Sequence, residues 1–294
     1  MKTLALATAC AVALVLSSFA AHADQLKVKA SALAPKDAEL LRGKSVAVVL
    51  HERESYVWMT PGKAMFGMLG VAAMVKGGND FVEQNQIPDP TILIREQLAG
   101  LLRDRFGAQP AATDTTVTKS NKPAELTKAH PESDYILSIR HLGTMSGYYP
   151  ASFGTYWISN TFAMQLVDAK SGRVLGKGNC FASTHKNPVR PSAEMLRADK
   201  AQLAKDILTS LTWRCTRQLA LDAFKVSPEL APTIPAEFVD PLARVSVTAA
   251  ATASAAKNAQ PAPTPASPSA PAASSGQEPT APTADEPPAA QGQP

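Results

Sequence analysis

The sequence predicts an α/β fold, with α+β as its segregated variant: a mixed sheet of about four to five strands, including a C-terminal β-hairpin, packed by two or three helices. Three observations carry that expectation. Ile158, Asn160, Phe162, Met164 and Leu166 alternate with Ser159, Thr161, Ala163 and Gln165, which puts one largely apolar face on a strand. Residues 44–50 form a short Val-rich run, as in a strand covered on both faces. Ile94, Leu98, Leu101 and Leu102 recur at helical spacing, as do Leu203, Ile207, Leu211, Cys215 and Leu219 further on.

Lys2 precedes an apolar run over residues 4–16, and the segment 17–23 ends in the small-x-small pattern that signal peptidase accepts. Residues 1–23 are therefore expected to be a secretory signal, cut before Asp24, which places the mature chain in the periplasm. Cys10 lies within the apolar run, and Ala7 stands where a lipobox has Leu, so no lipidation is expected. Residues 24–43 form a lead-in, 44–226 the globular domain and 227–244 an extended segment whose prolines carry the chain off the domain. From 245 to 294 the chain is mostly Ala, Pro, Thr, Ser, Gln and Gly, too poor in apolar side chains to offset its ordering entropy, and is expected to be a disordered tail.

The strand over residues 44–50 leads directly into His51, Glu52 and Arg53, at the carboxyl end of the sheet where open α/β sheets bind ligands. These three residues are a candidate ligand site; a solvated charged loop accounts for them equally. Next comes a run from Ala64 to Val75 without a charge, too short to cross a bilayer as a helix. Ala64, Gly67, Gly70 and Ala73 make a small-residue stripe, with Met65, Met68 and Leu69 on the broader face. Small stripes allow close contact and Met-rich faces adapt to varied partners, so the run is either a core helix or a membrane or partner contact.

Asp89 and Pro90 open a helix as N-cap and first helical residue, and Gly107 closes it. Residues 108–122 are turn-rich with a short strand expected around 115–118, and 123–129 suggest a brief helix. A strand follows in which Tyr135, Leu137, Ile139 and His141 share one face, His141 reading either as a satisfied core group or as a catalytic one. Five aromatics then crowd into one connection: Tyr148, Tyr149, Phe153, Tyr156 and Trp157. They form either a binding surface or a cap on the core. Asp168 and Gly172 supply a hairpin turn, and the returning strand carries Val174, Gly176, Gly178, Cys180 and Ala182 on a face nearly bare of side chains, against which a helix can pack closely. An even pair of cysteines in an exported chain reads as a disulfide, Cys180 to Cys215.

Charge excludes one class of partner. Residues 24–244 hold 27 basic and 22 acidic side chains, a mild excess scattered along the chain, and no basic cluster with interleaved aromatics suggests nucleic acid. Weak association with anionic lipid or cell wall remains open. No cofactor or metal motif is present: the sequence lacks Gly-x-Ser-x-Gly, His-Glu-x-x-His, Cys-x-x-Cys and Gly-x-Gly-x-x-Gly.

The order of elements, with Ser133-Asp134-Tyr135-Ile136-Leu137 and the hairpin from Gln165 to Leu175, resembles Gram-negative envelope proteins over residues 44–225. It is similar to the periplasmic domains of the curli-secretion lipoprotein and of the lipoprotein activators of penicillin-binding proteins. The resemblance implies an exported, non-catalytic interaction module that docks on an envelope protein or other envelope partner. The alternatives are a membrane-associated or pore-associated component using residues 64–75, and a wall-acting hydrolase using His141 and the aromatic loop.

Overall fold

A computed structural model describes residues 25–245; the expected signal and almost all of the expected tail lie outside the described residues. In chain order the first half contains β1 (Gln25–Ser31), α1 (Pro35–Glu39), β2 (Ser45–His51), β3 (Tyr56–Trp58), α2 (Pro61–Ala64), α3 (Gly67–Gln84) and α4 (Pro90–Phe106). The second half contains β4 (Gln109–Thr118), α5 (Pro123–Ala129), β5 (Tyr135–Tyr149), β6 (Ser152–Asp168), β7 (Val174–Ser183) and α6 (Ala193–Ala223).

The fold is mixed α/β, as expected, but its sheet has seven strands where four to five were expected. Six run in the order β1-β7-β6-β5-β2-β4, and β3 pairs with the upper part of β5. Pairing is antiparallel from β1 to β5 and parallel from β5 through β2 to β4. The undercount has two sources. β1 comes from the lead-in, where Leu26, Val28 and Ala30 alternate with Lys27 and Lys29, a strand period in a segment expected only as a lead-in; the lysines suit an edge strand that must not recruit other chains. β3, the second strand not expected, is only three residues long, too short to show a period, while the strand expected around 115–118 is present as the end of the longer, mostly exposed β4, which β2 holds in place.

Local chemistry acts where the sequence placed it. Asp89 Oδ1 accepts the Thr91 amide at 2.8 Å, and Gly107 closes α4 in the left-handed region at φ 65°. Asp168 Oδ1 accepts the amides of Lys170 and Ser171, both at 2.9 Å, which sets the turn into β7. Backbone over 198–201 is non-helical, with positive φ at Asp199, Lys200 and Ala201, so α6 is broken near its start.

The main core lies between α4, α6 and one sheet face, and includes Ile94, Leu98, Leu137, Phe162, Leu211 and Leu219. A second, smaller core under α5 joins Leu126 to Ala47, Val49, Ile136 and Val167. Cys180 and Cys215 are fully buried and bonded, with Cα atoms 5.6 Å apart. The bare face of β7 explains this approach: a Cβ on Gly178 would lie 2.5 Å from Leu219 Cδ2. The prolines after Val226 do not lead the chain away, which corrects that expectation. Arg217 donates to the carbonyls of Pro228, Ala231 and Pro232, Arg214 donates to that of Val239, and Leu242 is buried.

Candidate functional site

The apolar run resolves into two helices whose joint is one of the most exposed parts of the body. Thr60 caps α2, and Gly67, at φ 54°, turns the chain into α3. The second half of α3 is seated on β3. Gly78 lies so close that a Cβ there would sit 1.9 Å from the Tyr56 carbonyl oxygen, and Phe81 packs edge-on to Trp58 with ring centroids 4.7 Å apart. The first half leans on α2 through Gly70, where a Cβ would meet the Lys63 carbonyl oxygen at 1.9 Å, and Lys63 Nζ donates to the Ala73 carbonyl at 3.1 Å. Small residues therefore let this helix pair pack closely on itself and on β3.

Its large residues face outward. Met65 is 86% exposed, Phe66 71%, Met68 90%, Leu69 82% and Val71 52%. Scattered apolar surface residues are ordinary, whereas a contiguous exposed apolar group calls for an explanation. Of the expected surface residues, Met65, Met68 and Leu69 thus lie together, and Phe66 and Val71 join them. Sequence reasoning had Phe66 inside the run without singling it out, since only the seating of Gly70, Met74, Gly78 and Phe81 shows which arc of α3 faces inward.

The aromatic connection divides instead of forming one surface. Tyr149 and Tyr156 are buried: Tyr149 donates to the His185 carbonyl at 2.9 Å under the Arg190 guanidinium, and Tyr156 packs against Trp58 at 5.4 Å. Tyr148 and Trp157 are half-buried and Phe153 is 72% exposed, its ring stacked on Tyr148 at 6.1 Å. Two of the five thus pack into the body and one faces solvent.

His51, Glu52 and Arg53 all border one recess of about 250 Å³, though their side chains are engaged differently. Arg53 Nη1 donates to the Ile87 carbonyl at 2.7 Å, while Glu52 projects into solvent. Glu54, Ser55, Thr118, Lys119 and Arg140 complete the lining of the recess, and Arg140 is paired with Glu54. His51 itself is buried, donating from Nδ1 to the Thr118 carbonyl at 2.8 Å while Nε2 lies 2.7 Å from Ser138 Oγ. Burial chiefly, with the positive charges of Arg140 and Arg95, holds its pKa below the ordinary imidazole value, against the opposing bond to Thr118.

A serine hydroxyl at that distance from a backbone-oriented imidazole has the spacing of a nucleophile and its base. Access rules the chemistry out. Ser138 has no exposed surface, and its Oγ also lies 2.6 Å from Asn121 Oδ1, which accepts from Gln165 Nε2 at 2.8 Å. The pair therefore braces β2, β5 and β6 where β2 ends. Sequence reasoning missed it because His51 and Ser138 are neighbours only through the parallel register of β2 and β5.

His141, the other histidine of interest, is 1% exposed, with Nε2 2.9 Å from Thr144 Oγ1 and its ring 5.4 Å from Phe162. Burial holds its pKa below the ordinary value. A ring so enclosed cannot reach a wall polymer, so the structure withdraws the residue on which the hydrolase alternative rested. A further recess of about 260 Å³ between α4 and α6 is mainly apolar, lined by Ile87, Ile92, Leu93 and Leu208 with Asp89 and Lys205. Among the described residues no group of three His, Cys, Asp or Glu side chains is placed to hold a metal, and no helix is long and apolar enough to cross a membrane.

No protein-family model matches the sequence, and a search of curated proteins finds no match. Among solved structures, the chain is similar to the PelC dodecamer from Paraburkholderia phytofirmans, at 15% identity and a TM-score of 0.26, covering 68% of this chain and 99% of that one. It is also similar to the hypothetical protein CT253 from Chlamydia trachomatis, at 10% identity and a TM-score of 0.31, over 61% of this chain and 94% of the other. Lipoprotein GNA1162 from Neisseria meningitidis matches at 16% identity and a TM-score of 0.23, over 60% and 98%. At such identities and scores no role passes from these proteins to this chain.

Proposed function

We propose that this chain is an exported, non-catalytic cell-envelope interaction module that docks on an envelope partner through the joint of α2 and α3. One observation carries the reading: Met65, Phe66, Met68, Leu69 and Val71, all more than half exposed, are presented on a helix pair locked to the sheet by glycine contacts. Leaving such side chains in water forgoes burial worth about 1.5–3 kcal/mol each, which a docked partner would recover. The enclosed His51–Ser138 pair and the buried His141 favour a body without catalysis over a hydrolase.

A photoreactive amino acid placed at Met68, and separately at Lys177 on β7, tests this in living cells. An adduct formed from Met68 and absent from Lys177 is expected. Equal adduct patterns from both positions, or none from either, would overturn it. Export is tested separately, by fractionation and by an amino terminus beginning at Asp24.

A further inference from the structure

We infer that the partner of the α2–α3 joint is the anionic surface of a lipid bilayer, into which the joint inserts as a shallow wedge. This deepens, and rests on, the docking reading above. Three features of the tip distinguish a bilayer from a protein groove.

The first is the absence of a polar outer ridge. A helix that lies in a protein groove buries one stripe, at spacings of three and four residues, and keeps a polar opposite face. On α3, Gly70, Met74, Gly78 and Phe81 form the stripe already seated on the body, while Met68, Leu69, Val71, Ala72 and Ala73 point away from it. At about 100° per residue, these occupy more than half the circumference of the first turns. Met65 and Phe66 extend the apolar cover over the joint itself. Such a tip is satisfied by a medium that surrounds it.

The second is charge. From Ser55 to Asn79 the chain carries no carboxylate, and its two charges, Lys63 and Lys76, lie on either side of the apolar run. Lys63 Nζ donates to the Ala73 carbonyl at 3.1 Å and has no carboxylate partner within the stretch, whereas Lys76 is paired with Asp80 at 2.6 Å. Cations at the base of an apolar wedge meet lipid phosphates when the wedge enters the acyl boundary, the arrangement of helices that lie at an interface.

The third is size. A stable protein–protein interface of standard area uses about 20–30 residues a side, far more than residues 65–73 supply. A bilayer asks for no complementary partner surface. The exposed first turns, residues 67–73, rise about 10 Å, which matches interfacial insertion and falls well short of a span.

The test uses the chain from Asp24 onward with sedimented vesicles of two compositions, phosphatidylcholine alone and phosphatidylcholine with about a third phosphatidylglycerol. Met68→Asp and Leu69→Asp are compared with Leu142→Asp, which changes an exposed apolar residue on β5, and circular dichroism confirms folding of each. The expected result is binding to the anionic vesicles that is weakened by salt, reduced about tenfold or more by Met68→Asp or Leu69→Asp, and unchanged by Leu142→Asp. Failure of the unaltered chain to bind anionic vesicles, or equal binding by all folded variants, would overturn the inference. If vesicles fail while a photoreactive group at Met68 still yields a discrete protein adduct, the lipid inference falls and the docking reading stands. If both fail, the docking reading falls too.

Discussion

Replacing Cys180 and Cys215 together by alanine should remove a large part of the body's stability. The bond closes a loop with a sequence separation of 35, and the chain-entropy relation gives such a closure about 3.8 kcal/mol at room temperature. Both cysteines are fully buried between β7 and α6, so the alanines also leave unfilled space near Gly178 and Leu219. The total stands against about 5–15 kcal/mol for an ordinary domain. Urea unfolding followed by circular dichroism would show it: with a slope of about 2 kcal/mol per molar, the midpoint should fall by roughly 2 M. A second readout uses the unaltered protein. Because neither sulfur reaches solvent, dithiothreitol should reduce the bond only as fast as the body opens, and should act quickly once urea is present. A midpoint shift below about 0.5 M, or two free thiols titrated in non-reduced unfolded protein, would refute the reasoning.

Other perturbations test other parts of the structure. Gly78→Val places side-chain atoms where the Tyr56 carbonyl lies 1.9 Å from a Cβ; it should unseat α3, cost about 1–3 kcal/mol, and open residues 60–85 to limited proteolysis. Acidification should destabilise the body from neutral pH downward. His51 and His141 are held below the ordinary imidazole value, so the unfolded chain takes up protons first as pH falls through about 6.5, and stability present above that value is lost toward the depressed native values. The melting temperature should therefore drop between pH 7.5 and 5, and His51→Gln should flatten that slope. At lower pH, Asp37 adds to the loss. Its hydrogen bonds to Arg173, at 2.8 and 3.0 Å, hold its pKa below the usual carboxylate range, so its contribution persists above that range and disappears as the carboxyl is protonated. Asp37→Asn should remove this acid-labile part, visible as a smaller change in melting temperature between pH 5 and 3.

Much of the body was legible from short-range chemistry. The cap at Asp89, the stop at Gly107 and the turn at Asp168 each depend on residues a few positions apart, so propensity and local hydrogen bonding decide them. The pairing of Cys180 with Cys215 was legible for a similar reason: two periodic elements each carried a cysteine on the face the other had to meet. The candidate surface was legible only as composition. A charge-free run containing Met65, Met68 and Leu69 is the same string whether it is core or contact, and the hydrophobic effect alone favours core.

What the sequence by itself determined is the set of strands and helices with strong periods, their ends, and the cysteine pair. The tertiary structure decided what no local window contains. β3 is a strand because β5 offers it hydrogen bonds, not because its residues alternate, and β2 draws the strand expected around 115–118 back to Gln109. His51 and Ser138 touch because parallel strands bring distant residues into register. Met68 and Leu69 stay in water because Gly70 and Gly78 set their helix so close to Lys63 and Tyr56 that its opposite arc has nothing left to cover it.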